Sequence, residues 1–222
     1  MREKYLAVSF DMDDTLLRTN PNYSKMCDVI CKEMTAAGVP ASLLDPKESS
    51  KHNLDAGMRY LRDNGHYNSE DIPENIKEKM KEIELEGCLD VRPYEGAERM
   101  LEYLKGKGYH IGVLTRGCRE YAVRSLTAAG LIGELDALVC RDDHNESEAK
   151  PSPAAMEHLA DKLGVRSVDI LYIGDHKMDY FCARDSGAGF IGVLTRNDKG
   201  YWAAVDRSIV TIGTVTGLTE LL

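Results

Sequence analysis

Tyr5-Leu6-Ala7-Val8-Ser9-Phe10-Asp11-Met12-Asp13-Asp14-Thr15-Leu16 sets an apolar run against an abrupt acidic turn. Similar short apolar runs follow at His110–Leu114, Ala137–Cys140, Ile170–Ile173 and Phe190–Leu194, with a weaker one at Ile209–Ile212. Continuous apolar runs of this length fit buried parallel strands. Helical patterns alternate with them. Tyr94–Lys107 carries Ala97, Met100, Leu101 and Leu104 at helical spacing and ends in Gly106 and Gly108, which suit a C-terminal cap. Arg119–Ala129 ends at Gly130, and Pro153–Leu163 ends at Gly164, with Ser152 as expected N-cap and Pro153 in the first helical position. Strands alternating with helices imply an α/β fold, a parallel sheet covered on both faces.

One interval breaks that rhythm. From about Arg18 to about Leu89 there is no buried-strand run, and helices are expected at Asn22–Ala37, Lys51–Asp63 and Pro73–Glu86. Such an insertion after the first strand reads as a separate helical domain over 18–89, with 1–17 and 90–222 forming the core. A chain of 222 residues has room for one core and one small satellite. Its net charge of −9 argues against a broad nucleic-acid or anionic-membrane surface, so any positive charge that binds an anion must be local. No apolar run approaches ~18 residues and the N-terminus lacks a signal-peptide pattern, so a cytoplasmic protein is expected. Cysteines 27, 31, 88, 118, 140 and 182 lack paired CxxC spacing and read as reduced thiols; Cys118 stands nearest the chemistry below.

Ligands of open parallel sheets bind beyond the carboxyl ends of the strands. Asp11 and Asp13 sit there, two residues apart and therefore on one side of an extended chain. With Asp14 they crowd three carboxylates into four residues, which suits a solvated acidic turn or an oxygen-ligated Mg²⁺. Thr115, Arg116 and Gly117 close the second core run, where a hydroxyl and loop N–H groups either cap the next helix or hold a phosphate. Lys150 precedes a helix start, an unhelpful place for a cation unless an anion lies between it and the helix, or unless it is simply an exposed lysine. Asp175 and Asp179 bracket the loop after Ile170–Ile173, as helix caps or as two further carboxylates at the same sheet edge.

The four signals occur in one order on one edge, and together they resemble the haloacid dehalogenase (HAD) superfamily over essentially the whole chain. Asp11-Met12-Asp13-Asp14-Thr15-Leu16 looks like its first motif, Thr115 its second, Lys150 in Lys150-Pro151-Ser152-Pro153 its third, and Gly174-Asp175-His176-Lys177-Met178-Asp179 its fourth. Arg92-Pro93-Tyr94-Glu95-Gly96 is similar to the segment that re-enters the core after a helical cap in the phosphoglycolate-phosphatase-like branch. Many members carry Gly where this chain has Asp14; the family uses the backbone there, so the site is expected to survive with an added carboxylate. The resemblance implies a Rossmann-like HAD core with an inserted α-helical cap, and a Mg²⁺-dependent phosphatase acting on a small phosphomonoester of phosphoglycolate or sugar-phosphate type. It implies Asp11 as nucleophile, forming an aspartyl-phosphate, and Asp13 as acid and then base. Mg²⁺ would sit on the Asp11 carboxylate, the Asp13 carbonyl and Asp175. Lys150 would supply charge to Asp11 and the phosphoryl group, Thr115 and the Arg116 backbone would donate to phosphoryl oxygens, and Asp179 would orient a metal-bound water or Lys150. Tyr23, Lys25, Lys51, His52, Asn53 and Arg59 are candidate substrate contacts from the cap, or a solvated helical face.

A phosphomutase of the same superfamily would use the same Asp11 and is the nearest alternative. A dehalogenase needs only the first carboxylate, and a non-catalytic binding protein would not need the full set. The expected partner is a small phosphate ester, with no nucleic acid and no membrane; these features carry no information on oligomeric state.

Overall fold

The computed structural model describes residues 5–19, 21–66 and 72–222. Met1–Lys4 of the N-terminal stretch and residues 67–71 of the helical interval therefore lie outside the described residues. In chain order the elements begin with β1 (Ala7–Phe10), β2 (Leu17–Arg18), α1 (Tyr23–Ala36), α2 (Ser50–Asp63), α3 (Glu74–Glu86), β3 (Arg92–Pro93), α4 (Ala97–Gly106) and β4 (His110–Leu114). They continue with α5 (Arg119–Ala128), β5 (Ala137–Val139), α6 (Pro153–Leu163), β6 (Ile170–Gly174), α7 (Lys177–Ser186), β7 (Gly189–Val193), α8 (Lys199–Val205) and β8 (Val210–Ile212). Contacts gather the chain into two units, residues 1–19 with 90–222, and residues 20–89.

The first unit holds a six-stranded parallel sheet in the order β5-β4-β1-β6-β7-β8. The chain runs outward from β1 to β4 and β5, then crosses back to β6 on the other side of β1. Strand order reverses around β1, which makes its carboxyl end the expected binding crevice. Register fixes what meets there. Phe10 pairs with Val113 and with Ile173, so Asp11, Leu114 and Gly174 come level. Thr115 and Asp175 each follow one residue later.

Side-chain alternation divides the sheet into two buried faces. Ala7, Leu114, Ala137, Val139, Ile170 and Tyr172 share one face with Met156, Leu159 and Leu163 of α6 and with Cys182 and Ala183 of α7. Gly112 allows the helix to lie close: a Cβ there would stand 3.1 Å from Leu159 Cδ1 and 2.7 Å from Ser9 Oγ. Near β7, a Cβ on Gly192 would meet the Trp202 indole at 2.6 Å. Trp202 is 1% exposed, and its Nε1 donates to the Val193 carbonyl at 3.2 Å.

The second unit is helical. Met26, Ile30 and Met34 of α1, Leu54, Met58 and Leu61 of α2, and Ile76, Met80 and Ile83 of α3 recur at helical spacing and form its core. A Cβ on Gly57 would stand 2.6 Å from Met34 Sδ, so glycine sets the close approach of α1 and α2. The Asn22 side chain accepts from the Lys25 N–H at 2.9 Å and caps α1. Asn53, read as a substrate contact, is fully buried and exchanges hydrogen bonds with the Asp45 backbone at 2.7 Å on both sides. It is a structural residue of this unit. Lys25 pairs with Glu86 and Lys51 with Asp55, while Tyr23, His52 and Arg59 are exposed.

Three further details depart from the sequence reading. A two-residue antiparallel ribbon joins Leu17–Arg18 to Arg92–Pro93, too short to leave a pattern. Ser152 stands at the N-cap of α6 without a side-chain capping bond. The helix expected from Tyr94 begins at Ala97, because Gly96 at φ 78° turns the chain first. No disulfide joins any of the six cysteines, and burial with the neighbouring Cys27 pushes Cys31 up to about 11. Cys118 is buried, 2% exposed, at the N-cap of α5. No helix among the described residues is long and apolar enough to cross a membrane.

Truncating the indole that fills the space beside Gly192 leaves a large cavity. Trp202→Ala is expected to lower unfolding free energy by about 3–5 kcal/mol in urea titrations. Val123→Ala on the exposed side of α5 should stay within about 0.5 kcal/mol. A Trp202→Ala loss no larger than that of Val123→Ala would show that this end of the sheet does not depend on the indole.

Candidate active site

The carboxyl ends of β1, β4 and β6 bring together side chains that are far apart in sequence. Lys150, 3% exposed, sends Nζ to Asp11 Oδ1 at 2.5 Å, to Asp179 Oδ1 at 2.7 Å and to the Tyr172 hydroxyl at 3.0 Å. An ammonium has three protons, so these three acceptors satisfy it. Tyr172 rises from the buried face of β6 and donates in turn to the Leu114 carbonyl at 2.8 Å. Asp179 Oδ2 accepts from the His176 N–H at 3.0 Å, so one carboxylate both caps α7 and holds Lys150. Gly174 makes room for it, since a Cβ there would stand 2.5 Å from Asp179 Cγ.

Asp11, Asp175 and Asp179 are 7%, 4% and 2% exposed, and one carboxylate oxygen from each lies within 4.8 Å of the others. Three buried carboxylates thus face one ammonium. Burial, helped by the Asp179 and Asp14 carboxylates, pushes Asp175 up to about 8. Burial also raises Asp11 well above the ordinary range against the pull of Lys150, with Asp179, Asp175 and Asp13 adding to the rise. For Lys150 burial works the other way, yet Asp11 and Asp179 more than offset it and strengthen its hold on the proton. Three buried carboxyl groups, with no sulfur or imidazole among them and with Asp11 and Asp175 holding their protons more tightly for want of a second counter-charge, fit a hard divalent cation.

Asp13 is half-buried beside this group. Its Oδ1 accepts from the Tyr121 hydroxyl at 2.6 Å and from Thr19 Oγ1 at 2.7 Å. Asp14 alone among the described non-glycine residues has positive φ, 56°, a left-handed conformation that Asp tolerates better than most residues. Its backbone carbonyl accepts from Thr195, and its carboxylate lies 3.6 Å from Arg196 Nη1. The position thus uses glycine-like backbone geometry, and the extra carboxylate faces an arginine. Thr115 is 2% exposed; its Oγ1 accepts from the Gly117 N–H at 2.9 Å, leaving the hydroxyl proton to donate. The Arg116 guanidinium donates to Glu146 and to the Lys150 carbonyl.

Tyr172, Tyr121, Thr19 and Arg196 were not singled out from sequence. A tyrosine inside an otherwise apolar buried strand was the available signal for Tyr172, because its hydroxyl must find a partner. A second constellation, His144, Glu148 and His158, also lies within 4.8 Å. His158 Nε2 is 2.6 Å from Glu148 Oε2, and the two imidazoles stack at 3.5 Å with 12° between planes. In-plane lone pairs of stacked rings run parallel and do not converge, so this is a hydrogen-bonded stack and not an ion cage.

The doubly wound sheet defines an α/β core, with the carboxylate–lysine cluster as its candidate site at the strand-order reversal. The family model for haloacid dehalogenase-like hydrolases matches residues 8–193, and the chain belongs to that family. It is similar to a phosphoglycolate phosphatase of Nitrosospira multiformis, 25% identical over 189 residues that cover 82% of this chain and 80% of that protein. It is also similar to an N-acetylmuramic acid 6-phosphate phosphatase of Pseudomonas aeruginosa, 28% identical over 190 residues, 84% of this chain and 80% of that protein. The crystal structure of a hydrolase from Pseudomonas syringae shares the fold with a TM-score of 0.69 at 23% identity, over 98% of this chain and 97% of that one.

The raised Asp175 has a consequence for stability. An unfolded Asp titrates near about 3.9, whereas folded Asp175 holds its proton to about 8. Between those values the native state binds the extra proton. The stability it contributes is therefore complete below the lower value and lost as pH rises through the upper one. In EDTA, melting temperature is expected to fall between about pH 4 and about pH 8. Asp175→Asn should flatten part of that slope, Asp11 supplying the same sign for the remainder. A slope unaltered by Asp175→Asn would assign it to other groups.

Proposed function

We propose that the chain is a phosphoric monoester hydrolase that acts on a small soluble phosphomonoester with Mg²⁺, through a phosphorylated Asp11. The observation that carries this reading is the Lys150–Asp11 contact of 2.5 Å, with the Asp175 carboxylate in the same cluster. An ammonium fixed on a buried carboxylate fits a nucleophile that must approach an anionic phosphoryl group without being repelled. Its phosphatase relatives support the class.

In this reading Asp11 attacks phosphorus in line with the leaving oxygen. The new bond is the acyl phosphate, and the ester P–O bond breaks. Asp13 gives the departing alkoxide its proton and later takes one from the water that cleaves the acyl phosphate. Thr115 Oγ1 and the Arg116 N–H donate to phosphoryl oxygens. Lys150 holds Asp11 in place, and Asp179 holds Lys150. Mg²⁺ would be held by the Asp11 and Asp175 carboxylates and the Asp13 carbonyl, and would supply charge neutralisation and alignment of the phosphoryl group. Residues 18–89 act as the cap domain that selects the substrate, phosphoglycolate or a sugar phosphate being the classes its relatives suggest.

Asp11→Asn is expected to abolish phosphate release from p-nitrophenyl phosphate with MgCl₂ while circular dichroism stays that of the wild type. Acid-quenched wild-type enzyme should carry one phosphoryl group, mapped by mass spectrometry to the peptide containing Asp11. Near-normal turnover in the variant would refute the covalent step. A panel of phosphorylated metabolites scored for inorganic phosphate separates hydrolysis from a mutase reaction, in which the phosphoryl group stays on the sugar.

A further inference from the structure

The geometry points to Tyr121 as a positioning residue that fixes which oxygen of Asp13 carries the proton delivered to the leaving group; the inference rests on the reading of Asp13 as the acid. Tyr121 lies in the first turn of α5, 1% exposed, and its hydroxyl stands 2.6 Å from Asp13 Oδ1. The ring is held from behind. A Cβ on Gly117 would stand 2.6 Å from Tyr121 Cδ1, so the chain gives up a side chain in the β4–α5 loop to seat this ring.

The chemistry follows from donor and acceptor counting. An ionised carboxylate only accepts, so the Tyr121 and Thr19 hydroxyls both donate to it, and both fall on Oδ1. Two donors occupy the two lone pairs of that oxygen. When Asp13 takes up a proton, the proton resides on Oδ2, and Oδ1 remains the carbonyl-type acceptor. During ester cleavage the electron pair of the breaking P–O bond moves to the alkoxide oxygen, which takes the Oδ2 proton. The Asp13 carboxylate left behind is held by the same two hydroxyls, ready to accept a proton from water. In this role Tyr121 acts through Asp13. It acts by keeping the carboxyl plane and the proton-bearing oxygen in one orientation.

Leaving-group dependence tests this. For each enzyme form, kcat/KM is measured with saturating MgCl₂ for p-nitrophenyl phosphate, whose phenolate leaves without a proton, and for simple alkyl phosphates, whose alkoxides need one. Tyr121→Phe keeps the ring and removes the hydroxyl. Its kcat/KM for alkyl phosphates is expected to fall about tenfold, while the loss for p-nitrophenyl phosphate stays near about twofold. Asp13→Ala should show the same pattern, more steeply. Equal losses on both ester types in Tyr121→Phe, or none on either, would overturn the positioning role. Equal losses on both in Asp13→Ala would instead remove Asp13 from the acid role, and the inference with it.

Discussion

The structure of the site depends on one buried ammonium. Lys150 has almost no access to water, and an isolated charge in that position would be prohibitive. It is tolerated because Asp11, Asp179 and Tyr172 take all three of its protons within 3.0 Å. Those partners come from the end of β1, the start of α7 and the middle of β6. Lys150 itself comes from the loop before α6. One charge therefore pins four segments of chain, and removing any acceptor would leave part of it uncompensated.

The sheet supplies the precision. Parallel pairing of β1 with β4 and β6 sets Asp11, Thr115 and Asp175 at nearly one level, and missing side chains set the spacing between layers. Gly112 lets α6 approach, Gly174 admits Asp179, and Gly117 seats Tyr121. At Gly117 and Gly174 a single methyl would strike Tyr121 or Asp179, and at Gly112, inside β4, it would strike Ser9 and Leu159.

Legibility in sequence followed the size of each signal. The inner strands were readable because a strand covered on both faces must be apolar along its length, whereas β8 at the sheet edge, with Val210 52% exposed, left only a weak run. Asp11, Thr115 and Asp175 stood out because each breaks such a run at its carboxyl end. Tyr172 and Tyr121 did not, because each is an apolar body with one polar atom and reads as core until its hydroxyl is located. Asn53 misled in the opposite direction: a polar residue on a polar helix looked exposed, but its amide replaces backbone partners for Asp45. The direction of the Arg116 side chain was also beyond sequence, since it is decided by Glu146 and the Lys150 carbonyl, 30 and 34 residues away.

In the proposed reading, that arginine helps a chain of net charge −9 to meet an anion. Long-range attraction is unavailable to it, so its positive charge must be local and fixed in advance. Arg116 binds the loop that carries Lys150 through Glu146 and through the carbonyl of Lys150 itself, and the more deeply buried Arg141 lies 3.9 Å from the same glutamate. The ammonium is thereby held in place by groups that do not touch Asp11. A charge oriented before the substrate arrives need not be reoriented as the phosphoryl group transfers, and such preorganisation is where electrostatic catalysis gains most. The surplus carboxylates around it turn the same pocket into a cation site, so the acidity that repels phosphate at long range is what would recruit the ion that binds it at short range.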